Sequence, residues 1–460
     1  MVKTDEIQLL KQIIEQGKYT DALNEAERLE KKYTELGKHL QLADTLILKL
    51  WSLHDLGRLE EGLKVIKQCE FLLTSLNDLE EVKKRKAYLM RYSARHDKKK
   101  ALEYIQESLK LSKEVGDKEG VVRCYLDLSH SYHNKGKMQL GLKYLQQAKA
   151  LSEEIGDTSL FINTLFRLGY FSHYSGNYAK AKEFQQQVLT LSKEHGYSTE
   201  TAWAYHALAD LNWELGNEKQ ALEYYQQSDA LFEETGQLGG RLWTLFEWFS
   251  LSFEMNSLDQ AHHLLQRLQQ LYEEDENIII RPFLLLAQAT LLRTSSRLRD
   301  KAKAQNILYE LVEGAENIFF KIVARINLCD SLLEELKSNE DSKVFQEALK
   351  VVQEINSLTQ HVRLFSFTVK LLLLQAKFAT VEGDLSAALN FYEQAKTFAK
   401  DKGIGVLAAK AEAEKVELET QYDKWQQLIQ SNAPFKERLK QSRLEEYLRE
   451  AKRIIRLSNF

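Results

Sequence analysis

The chain has 460 residues, of which 44% are hydrophobic and 28% are charged, a balance that excludes a mainly disordered protein. Its 63 basic and 67 acidic residues give a net charge of −4, which neither predicts nor excludes a nucleic-acid partner. Two prolines in the whole chain are typical of an almost wholly helical protein. The cysteines form no CxxC pair, so we expect buried thiols in a reducing compartment: Cys69, Cys124 and Cys329.

The N-terminal stretch MVKTDEIQLLKQII has no long apolar core followed by small residues, so we expect no signal peptide. The most apolar windows, near residues 278–286 and 364–374, are interrupted by Arg281, Pro282 and Lys370. Both fall short of the roughly 18 uninterrupted apolar residues that a membrane-spanning helix needs. We therefore expect a cytoplasmic protein without a transmembrane segment.

A repeat of 40 residues dominates the chain, and its glycines recur every twenty residues: Gly116, Gly136, Gly156, Gly176, Gly196, Gly216 and Gly236. Glycine at this interval, with helix formers between, predicts a helix, a tight turn, a second helix and a second turn. The turn inside each helix pair is predicted at Gly17, Gly57, His96, Gly136, Gly176, Gly216, Asn256, Arg297, about Lys343, and Gly383. Five positions later a small residue lets the paired helices approach closely: Ala22, Gly62, Ala101, Gly141, Ala181, Ala221, Ala261, Ala302, Ala348 and Ala388.

The repeat resembles the tetratricopeptide repeat. Its large, small, aromatic and turn positions are matched in the fourth repeat by Leu128, Ser129, Tyr132, Gly136, Gly141 and Ala148, in the fifth by Leu168, Gly169, Gly176, Tyr178 and Ala181, and in the sixth by Leu208, Ala209, Gly216, Ala221 and Tyr225. The long period is similar to that of Pins/LGN-type adaptors, kinesin light chains and bacterial peptide-sensing regulators. The resemblance covers about residues 5–403. It implies an all-α, right-handed superhelical solenoid of about ten helix-turn-helix repeats with C-terminal capping helices.

Three parts are predicted: about seven regular repeats in residues 1–275, about three degenerate repeats in 276–403, and a C-terminal segment in 404–460. The run Asp275–Leu286 is either a hinge or a degenerate repeat, with a helix restarting near Pro282. Residues 337–342, KSNEDS, resemble an inserted loop. The C-terminal segment is predicted as one long helix, residues 404–430, and one basic amphipathic helix that starts near Asn432-Ala433-Pro434. That last helix is either a cap or a helix presented to a partner or to an anionic surface.

No catalytic signature has the required spacing: there is no GxGxxG after a strand, no Walker loop, no HExxH and no GxSxG. We therefore expect no enzyme and no cofactor. Four histidines fall on the first helices of the fourth to sixth repeats: His130, His133, His173 and His206. Neighbouring helices lie about 8–10 Å apart, too far for these rings to converge on one ion, so we expect no metal site.

The resemblance implies that the first helix of each repeat lines a concave groove. On the inward positions of repeats four to seven the predicted peptide-binding residues are Arg123, His130, His133, Asn163, Phe166, Arg167, Tyr170, His173, Trp203, His206, Asp210, Trp213, Trp243, Phe246, Ser250 and Phe253. Aromatic rings, arginine and histidine on a solvated face are typical of binding hot spots. The alternative is that these aromatic rings fill the core between repeats. Trp248 serves as a reference, because it occupies a core position under either interpretation.

Three functional hypotheses follow. The first is a non-enzymatic adaptor that binds a peptide or helix of a partner protein in the groove. The second is a regulator that senses a peptide or small molecule and changes superhelical pitch on binding. The third is a scaffold whose basic C-terminal helix mediates self-association or contact with an anionic surface. A protein or peptide partner is expected in each case, and nucleic acid is not.

Overall fold

The computed structural model describes residues 6–15, 19–56, 58–77, 79–96, 100–134, 137–275, 280–315, 317–360 and 365–457. Within these ranges the chain forms 24 α-helices and no β-strand. The helices of the first five repeats are α1 (Glu6–Glu15), α2 (Tyr19–Glu35), α3 (His39–Asp55), α4 (Leu59–Thr74), α5 (Glu80–His96), α6 (Ala101–Glu114), α7 (Lys118–Asn134), α8 (Met138–Ile155), α9 (Thr158–Tyr174) and α10 (Tyr178–Glu194). The predicted all-α class is confirmed.

The pairs continue to the tenth repeat, and four further helices follow. They are α11 (Ser198–Glu214), α12 (Glu218–Glu234), α13 (Leu238–Glu254), α14 (Leu258–Asp275), α15 (Arg281–Leu292), α16 (Leu298–Gly314), α17 (Ile318–Asn339), α18 (Ser342–Gln360), α19 (Phe365–Glu382), α20 (Leu385–Asp401), α21 (Gly405–Thr420), α22 (Tyr422–Gln430), α23 (Phe435–Ser442) and α24 (Leu444–Leu457). Odd-numbered helices up to α19 are the first helices of their repeats.

Glycine ends the helices because the turns need a left-handed backbone. Gly156 closes α8 with φ 69°, and Gly216 follows α11 with φ 77°. A side chain disfavours this conformation, which glycine adopts without strain. Asn256 takes the glycine position of the seventh repeat with φ 59°, which asparagine tolerates better than most residues. The predicted turn glycines Gly17, Gly57 and Gly136 lie outside the described residues.

Small side chains mark close contacts between paired helices, as the repeat predicts. A Cβ atom on Gly141 would lie 2.8 Å from Cζ of Phe171 and 3.1 Å from the carbonyl oxygen of Ser129. The corresponding alanines are fully buried at Ala22, Ala181, Ala221, Ala261, Ala348 and Ala388. Ala101 of the third repeat is half-buried, and in the eighth repeat Ala302 is exposed while Ala304 is buried. The predicted register was therefore wrong there by two residues, since packing selects the alanine on the inner side of α16.

The chain divides into two compact units, which are described separately. Unit 1 comprises Met1–Ser172 and Tyr178–Thr244, and unit 2 comprises His173–Asn177 and Leu245–Phe460. One apolar cluster in unit 1 extends from Leu10 to Leu89, and a second extends from Val122 to Ala204. Each cluster draws on several consecutive helices, as expected when one helix pair is too thin to bury its apolar side alone.

In unit 2 two loops predicted from the sequence take a different form. The helix after residues 276–279, which lie outside the described residues, restarts at Arg281 with Pro282 in its first turn, as predicted. The predicted inserted loop KSNEDS was wrong in its first half, because residues 337–339 extend α17. No glycine or proline interrupts that stretch, and Leu336 is fully buried, so the helix continues until Glu340 turns left-handed with φ 54°.

The C-terminal segment is divided more finely than the sequence predicted. The single long helix predicted for residues 404–430 is two helices, because Gln421 leaves helical geometry between α21 and α22. The predicted last helix is also two, since Arg443 is left-handed with φ 56° and separates α23 from α24. The hydroxyl of Ser442 accepts a hydrogen bond from the Leu444 amide at 3.2 Å and so begins α24. The boundaries predicted at residues 276 and 404 for the three parts stay predictions.

Helices α23 and α24 pack against α17 and α19, the first helices of the ninth and tenth repeats. The buried side chains on this side of the C-terminal helices are Leu439, Leu444, Tyr447, Leu448 and Ala451. In unit 2 the first-helix face of these two repeats is therefore covered by the end of the same chain. Burying a leucine side chain contributes about 1.5–3 kcal/mol relative to leaving it exposed.

Candidate functional site

A cavity of about 580 Å³ lies on the first-helix face of unit 1. Its walls come from α1, α3, α5, α7 and α9, the first helices of five consecutive repeats. Because the first helices of successive repeats stack side by side, residues from distant parts of the sequence line the same wall. Apolar side chains such as Ile47, Leu48 and Trp51 line it together with tyrosines and many charged groups.

The charged side chains of the cavity are mostly basic. The cations are Lys11, Lys84, Arg85, Arg91, Arg95, Arg123 and Arg167, and the carboxylates are Asp44, Glu81, Glu119 and Asp127. Most of the cations belong to α5, whose sequence between residues 83 and 95 reads KKRKAYLMRYSAR. An excess of positive charge inside a concave site favours anionic ligands.

Each of the four carboxylates is held by an arginine. Arg85 donates to Asp44 at 2.6 Å and to Glu81 at 2.8 Å. Arg123 donates to Glu119 at 2.7 Å, one turn away on the same helix. These pairs fix the guanidinium groups in place along α5 and α7, because a charge-assisted hydrogen bond restricts both partners.

The fourth pair crosses from α5 to α7. Arg91 donates through Nε to Oδ2 of Asp127 at 2.6 Å, and both side chains are mostly buried. Burial alone would raise the pKa of the Asp127 carboxyl, but the charges of Arg91 and Arg95 outweigh it and lower that pKa. Asp127 is therefore held as a carboxylate, and its charge is already matched.

One arginine of the cavity is not held by a carboxylate among the described residues. Arg167 donates through Nε to Oδ1 of Asn163 at 3.0 Å, and no carboxylate lies within 4.0 Å of it among the described residues. Desolvation, followed by the charges of Arg95 and Arg91, lowers the pKa of Arg167, and Asp127 only partly opposes this. The pKa of the exposed His130 ring is lowered to about 4, first by desolvation from the surrounding protein and then by Arg167. Arg167 therefore lies in the field of neighbouring arginines, which the charge of Asp127 opposes.

Three residues of the predicted groove line this cavity: Arg123, Asn163 and Arg167. Asn163 is exposed, and Arg123 and Arg167 are half-buried. The sequence prediction placed the groove on repeats four to seven, whereas this cavity spans repeats one to five. The residues of α5 were missed, although its run of basic side chains interleaved with tyrosine and methionine could have indicated them.

Many of the remaining predicted residues are packed inside the protein. The buried ones are Tyr170, His173, His206, Asp210, Trp213, Phe246 and Ser250. His133, Phe166, Trp203, Trp243 and Phe253 are half-buried, and His130 is exposed. A buried ring presents no face to a ligand in this conformation. The assignment of these residues to a peptide-binding groove stays a prediction, and Trp248, 7% exposed, is buried as predicted.

Contacts within the sixth repeat explain the burial of several rings in unit 1. The Trp203 ring meets Phe232 of the same repeat edge-on, with centroids 4.9 Å apart. The hydroxyl of Tyr225 donates to Oδ1 of Asp210 at 2.6 Å. These contacts join α11 to α12, so they stabilise the sixth repeat itself.

The four histidines serve different local roles. His206 is fully buried, and its Nδ1 lies 3.0 Å from the Thr244 hydroxyl. The His133 ring lies 5.1 Å from the Phe171 ring, and His130 is exposed while His173 is buried. In the part of the chain that the structure describes, no group of three metal-ligating side chains converges.

The three cysteines are free and buried, as the sequence predicted. Desolvation raises the pKa of the Cys69 thiol to about 12 and also raises that of Cys124. Such thiols are poor nucleophiles, because the thiolate is the reactive form. Among the described helices, none combines the length and apolar character needed to cross a bilayer.

The first-helix face of repeats nine and ten is closed by charged as well as apolar contacts. Lys377 donates to Oε2 of Glu414 at 2.6 Å, and both side chains are nearly buried. Lys410 donates to Glu450 of α24 at 2.6 Å, and Arg443 donates to Glu417 at 2.6 Å. These contacts tie α19, α21 and α24 together inside unit 2.

Models of protein families match three segments of the chain. One described as tetratricopeptide repeat matches residues 160–234, and a second with the same description matches residues 122–155. A third, described as ComR tetratricopeptide, matches residues 267–415. A search of the curated proteins found no match.

Several solved structures are similar in fold. The apo form of RapI is 14% identical with a TM-score of 0.52, and the match covers 76% of this chain and 99% of that one. Aspartyl phosphate phosphatase F from Bacillus subtilis is 13% identical with a TM-score of 0.50, covering 78% and 94%. The apo form of the quorum sensor NprR from B. thuringiensis is 14% identical with a TM-score of 0.50, covering 75% and 97%. At these identities the likeness concerns the fold alone.

Proposed function

We propose that this chain, an array of tetratricopeptide repeats, is a non-enzymatic adaptor that binds a peptide segment of a partner protein in the cavity of unit 1. The cavity carries the proposal, because its volume of about 580 Å³ falls in the range of roughly 300–1,000 Å³ typical of ligand sites. Its walls combine apolar side chains with fixed polar groups, the combination that gives a ligand both affinity and orientation.

Asn163 is the polar group best placed to hold a peptide backbone. Its Oδ1 accepts from Arg167, while its side chain is exposed on the cavity wall. An asparagine amide has two N–H donors in addition to its oxygen, so it can donate to a backbone carbonyl of a bound chain. The hydrogen bond from Arg167 also restricts the rotamer of Asn163, which reduces the entropy cost of binding.

A peptide selection tests the proposal directly. Random 12-residue peptides displayed on phage are selected against the full chain, and the enriched peptides are measured by calorimetry. The substitution Asn163→Trp fills the cavity from an exposed position, and Lys143→Trp adds the same bulk at an exposed position on α8 as a control. We expect Asn163→Trp to weaken binding by about tenfold or more, as for the loss of a central contact, and the control to keep it.

Two results would remove the proposal. Either no peptide is enriched above background, or the enriched peptides bind Asn163→Trp as tightly as the unsubstituted chain.

The same peptides also test whether the predicted aromatic groove binds a ligand. If Trp203 is an anchor, Trp203→Ala should lose about 1–2 kcal/mol of binding free energy. Because Trp213 is buried, Trp213→Ala should act mainly on stability.

A ligand-sensing regulator is the second candidate. A similar fold occurs in a protein described as a quorum sensor, which gives the hypothesis a precedent. Small-angle scattering of the full chain with and without a selected peptide separates the two candidates. An adaptor keeps its scattering profile, and a sensor changes its radius of gyration on binding.

The scaffold hypothesis meets an obstacle in unit 2. The apolar side chains Leu444, Leu448 and Ala451 of α24 are buried, and α24 packs against α17 and α19, so self-association through these side chains would first require α24 to leave its place. Arg449 and Lys440 remain exposed and could still contact an anionic surface. Sedimentation of the full chain with anionic and neutral vesicles tests this contact, and equal binding to both would remove the anionic-surface part of the hypothesis.

A further inference from the structure

One hydrogen bond in unit 1 joins two segments that lie 218 residues apart in the sequence. Nε2 of Gln237 donates to the hydroxyl of Tyr19 at 2.9 Å, and both side chains are half-buried. Tyr19 begins α2 of the first repeat, and Gln237 lies in the turn between α12 and α13, where the sixth repeat ends. In a linear array each repeat contacts only its neighbours. This bond therefore closes the array of unit 1 on itself.

A second contact with the same offset occurs inside unit 2. Gly176 lies in the turn between α9 and α10 of the fifth repeat, and a Cβ atom added to it would lie 3.0 Å from Cγ2 of Val406. Val406 lies in the first turn of α21, directly after the tenth repeat. Both contacts join the place where the two helices of one repeat meet to the junction that follows the repeat five places later. The recurrence indicates that such contacts follow from the geometry of the repeat.

The first repeat carries one part of the cavity wall, because Ile7 and Lys11 of α1 line the cavity. Glu6 of α1 accepts hydrogen bonds from Arg28 and Lys32 of α2, so the two helices are held together as a pair. Among the described helices this pair packs mainly against α3. A repeat that is held from one side opens at a lower cost in free energy than one packed between two neighbours. The bond from the end of the sixth repeat supplies a second attachment.

We propose that the first repeat is a movable wall of the unit 1 cavity, and that the hydrogen bond from Gln237 to Tyr19 is a clasp that holds this wall closed. When the clasp opens, α1 and α2 move together and the cavity becomes more accessible. One neutral hydrogen bond contributes a modest free energy, so the clasp opens without unfolding of the repeats. The Tyr19 ring packs against the apolar cluster that extends from Leu10 to Leu89, which positions its hydroxyl. The effect on a ligand rests on the proposed function, whereas the opening itself does not.

The labelling of a thiol inside the cavity tests the clasp without a ligand. Leu48 of α3 lines the cavity and is half-buried, so Leu48→Cys places a thiol there, and the buried native cysteines of the unsubstituted chain give the background. The rate at which this thiol reacts with a small maleimide in the full chain reports the opening of the wall. Adding Tyr19→Phe, which removes only the hydroxyl, should raise that rate by about threefold to tenfold. Tyr104→Phe, at a half-buried tyrosine of α6, is the matched control and should leave the rate unchanged.

The partner residue completes the test. Gln237→Ala removes the other half of the clasp and should raise the labelling rate by the same factor. Because the two residues make one bond, Tyr19→Phe/Gln237→Ala should react no faster than either single variant. A thiol outside the cavity, Lys143→Cys on the exposed surface of α8, should react at one rate in all of these backgrounds. Unchanged labelling of Leu48→Cys in the single variants, or two effects that multiply in the double variant, would overturn the inference.

Peptides selected against the full chain extend the test to the ligand. If they enter and leave past the first repeat, Tyr19→Phe should raise the association and dissociation rate constants together by about threefold or more and keep Kd within about twofold. Unchanged rate constants beside faster labelling would show that the wall does not control ligand access, and the proposed function would survive. If no peptide is enriched, the proposed function fails, and thiol labelling still decides whether the clasp exists.

Discussion

The first-helix faces of the two units are built from the same kind of helix pair, but one face is open and the other is covered. In unit 1 this face forms an open cavity of about 580 Å³ with charged walls. In unit 2 the face of α17 and α19 is covered by α23 and α24 of the same chain. A first-helix face can therefore either hold a ligand or hold part of its own protein, and the side chains along it decide between the two.

The chemistry of the two faces differs accordingly. Around α24 each of the main cations has a carboxylate: Lys377 has Glu414, and Lys410 has Glu450. The apolar side chains Leu444 and Leu448 are fully buried there. In the unit 1 cavity the cations outnumber the carboxylates, and Arg167 has no carboxylate partner among the described residues. A completed network is typical of a permanent contact, and an incomplete one is typical of a site that awaits a ligand.

The largest effect should come from the buried ion pair of unit 2. Lys377→Met leaves Glu414 nearly buried with Arg443 as its remaining ion-pair partner, so we expect a loss of about 3–5 kcal/mol in the free energy of unfolding, measured with urea. Lys396→Met is the control, because Lys396 pairs with the half-exposed Glu412 at 2.8 Å and should cost less than about 1 kcal/mol. Equal losses for the two variants would show that the pair under α24 is not buried.

The next effect concerns the seating of α24. Leu448 is fully buried, so Leu448→Ala should lower the free energy of unfolding by about 2–5 kcal/mol in the same urea assay. The matched control is Leu298→Ala, at a side chain that is 83% exposed, which should change stability by less than about 0.5 kcal/mol. A Leu448→Ala variant as stable as the control would mean that α24 does not cover α17 and α19 in solution.

The smallest expected effect is a pH dependence of stability that comes from unit 1. Burial, opposed in part by Asp210, lowers the pKa of His206 in unit 1, so the unfolded chain takes up a proton more readily than the folded one. This contribution to stability is complete above the ordinary histidine pKa of about 6.5 and is lost as pH falls below it. Between pH 7.5 and 5.5 the loss should reach at most about 1.4 kcal/mol per pH unit.

His206→Gln tests this assignment, because glutamine does not titrate. Urea unfolding at several pH values should show a flatter pH dependence in the variant than in the unsubstituted chain. In unit 2, His262 and His263 are exposed on α14, so His262→Gln/His263→Gln serves as the control and should leave the slope unchanged. A slope that responds to the control variant and not to His206→Gln would move the pH sensitivity to unit 2.

The sequence by itself determined the helix pairs, and the family models confirm its resemblance to the tetratricopeptide repeat. Turn glycines such as Gly156 and small residues such as Ala221 act within one repeat, where φ angles and close helix contact leave few alternatives. Local signals of this kind are readable in order along the chain. They were weakest in the eighth repeat, where the sequence predicted Ala302 at the helix contact and the structure buries Ala304 instead.

Only the tertiary structure decided which first helices form a cavity and which are covered. Arg95 and Arg167 line one cavity because α5 and α9 both contribute to its wall. The separation of the two residues in the sequence does not predict this. The seating of α24 on α17 and α19 likewise joins segments far apart in sequence. Periodicity reports which side of a helix is apolar, whereas the partner that buries it is chosen by long-range packing, and that choice separates the open face of unit 1 from the closed face of unit 2.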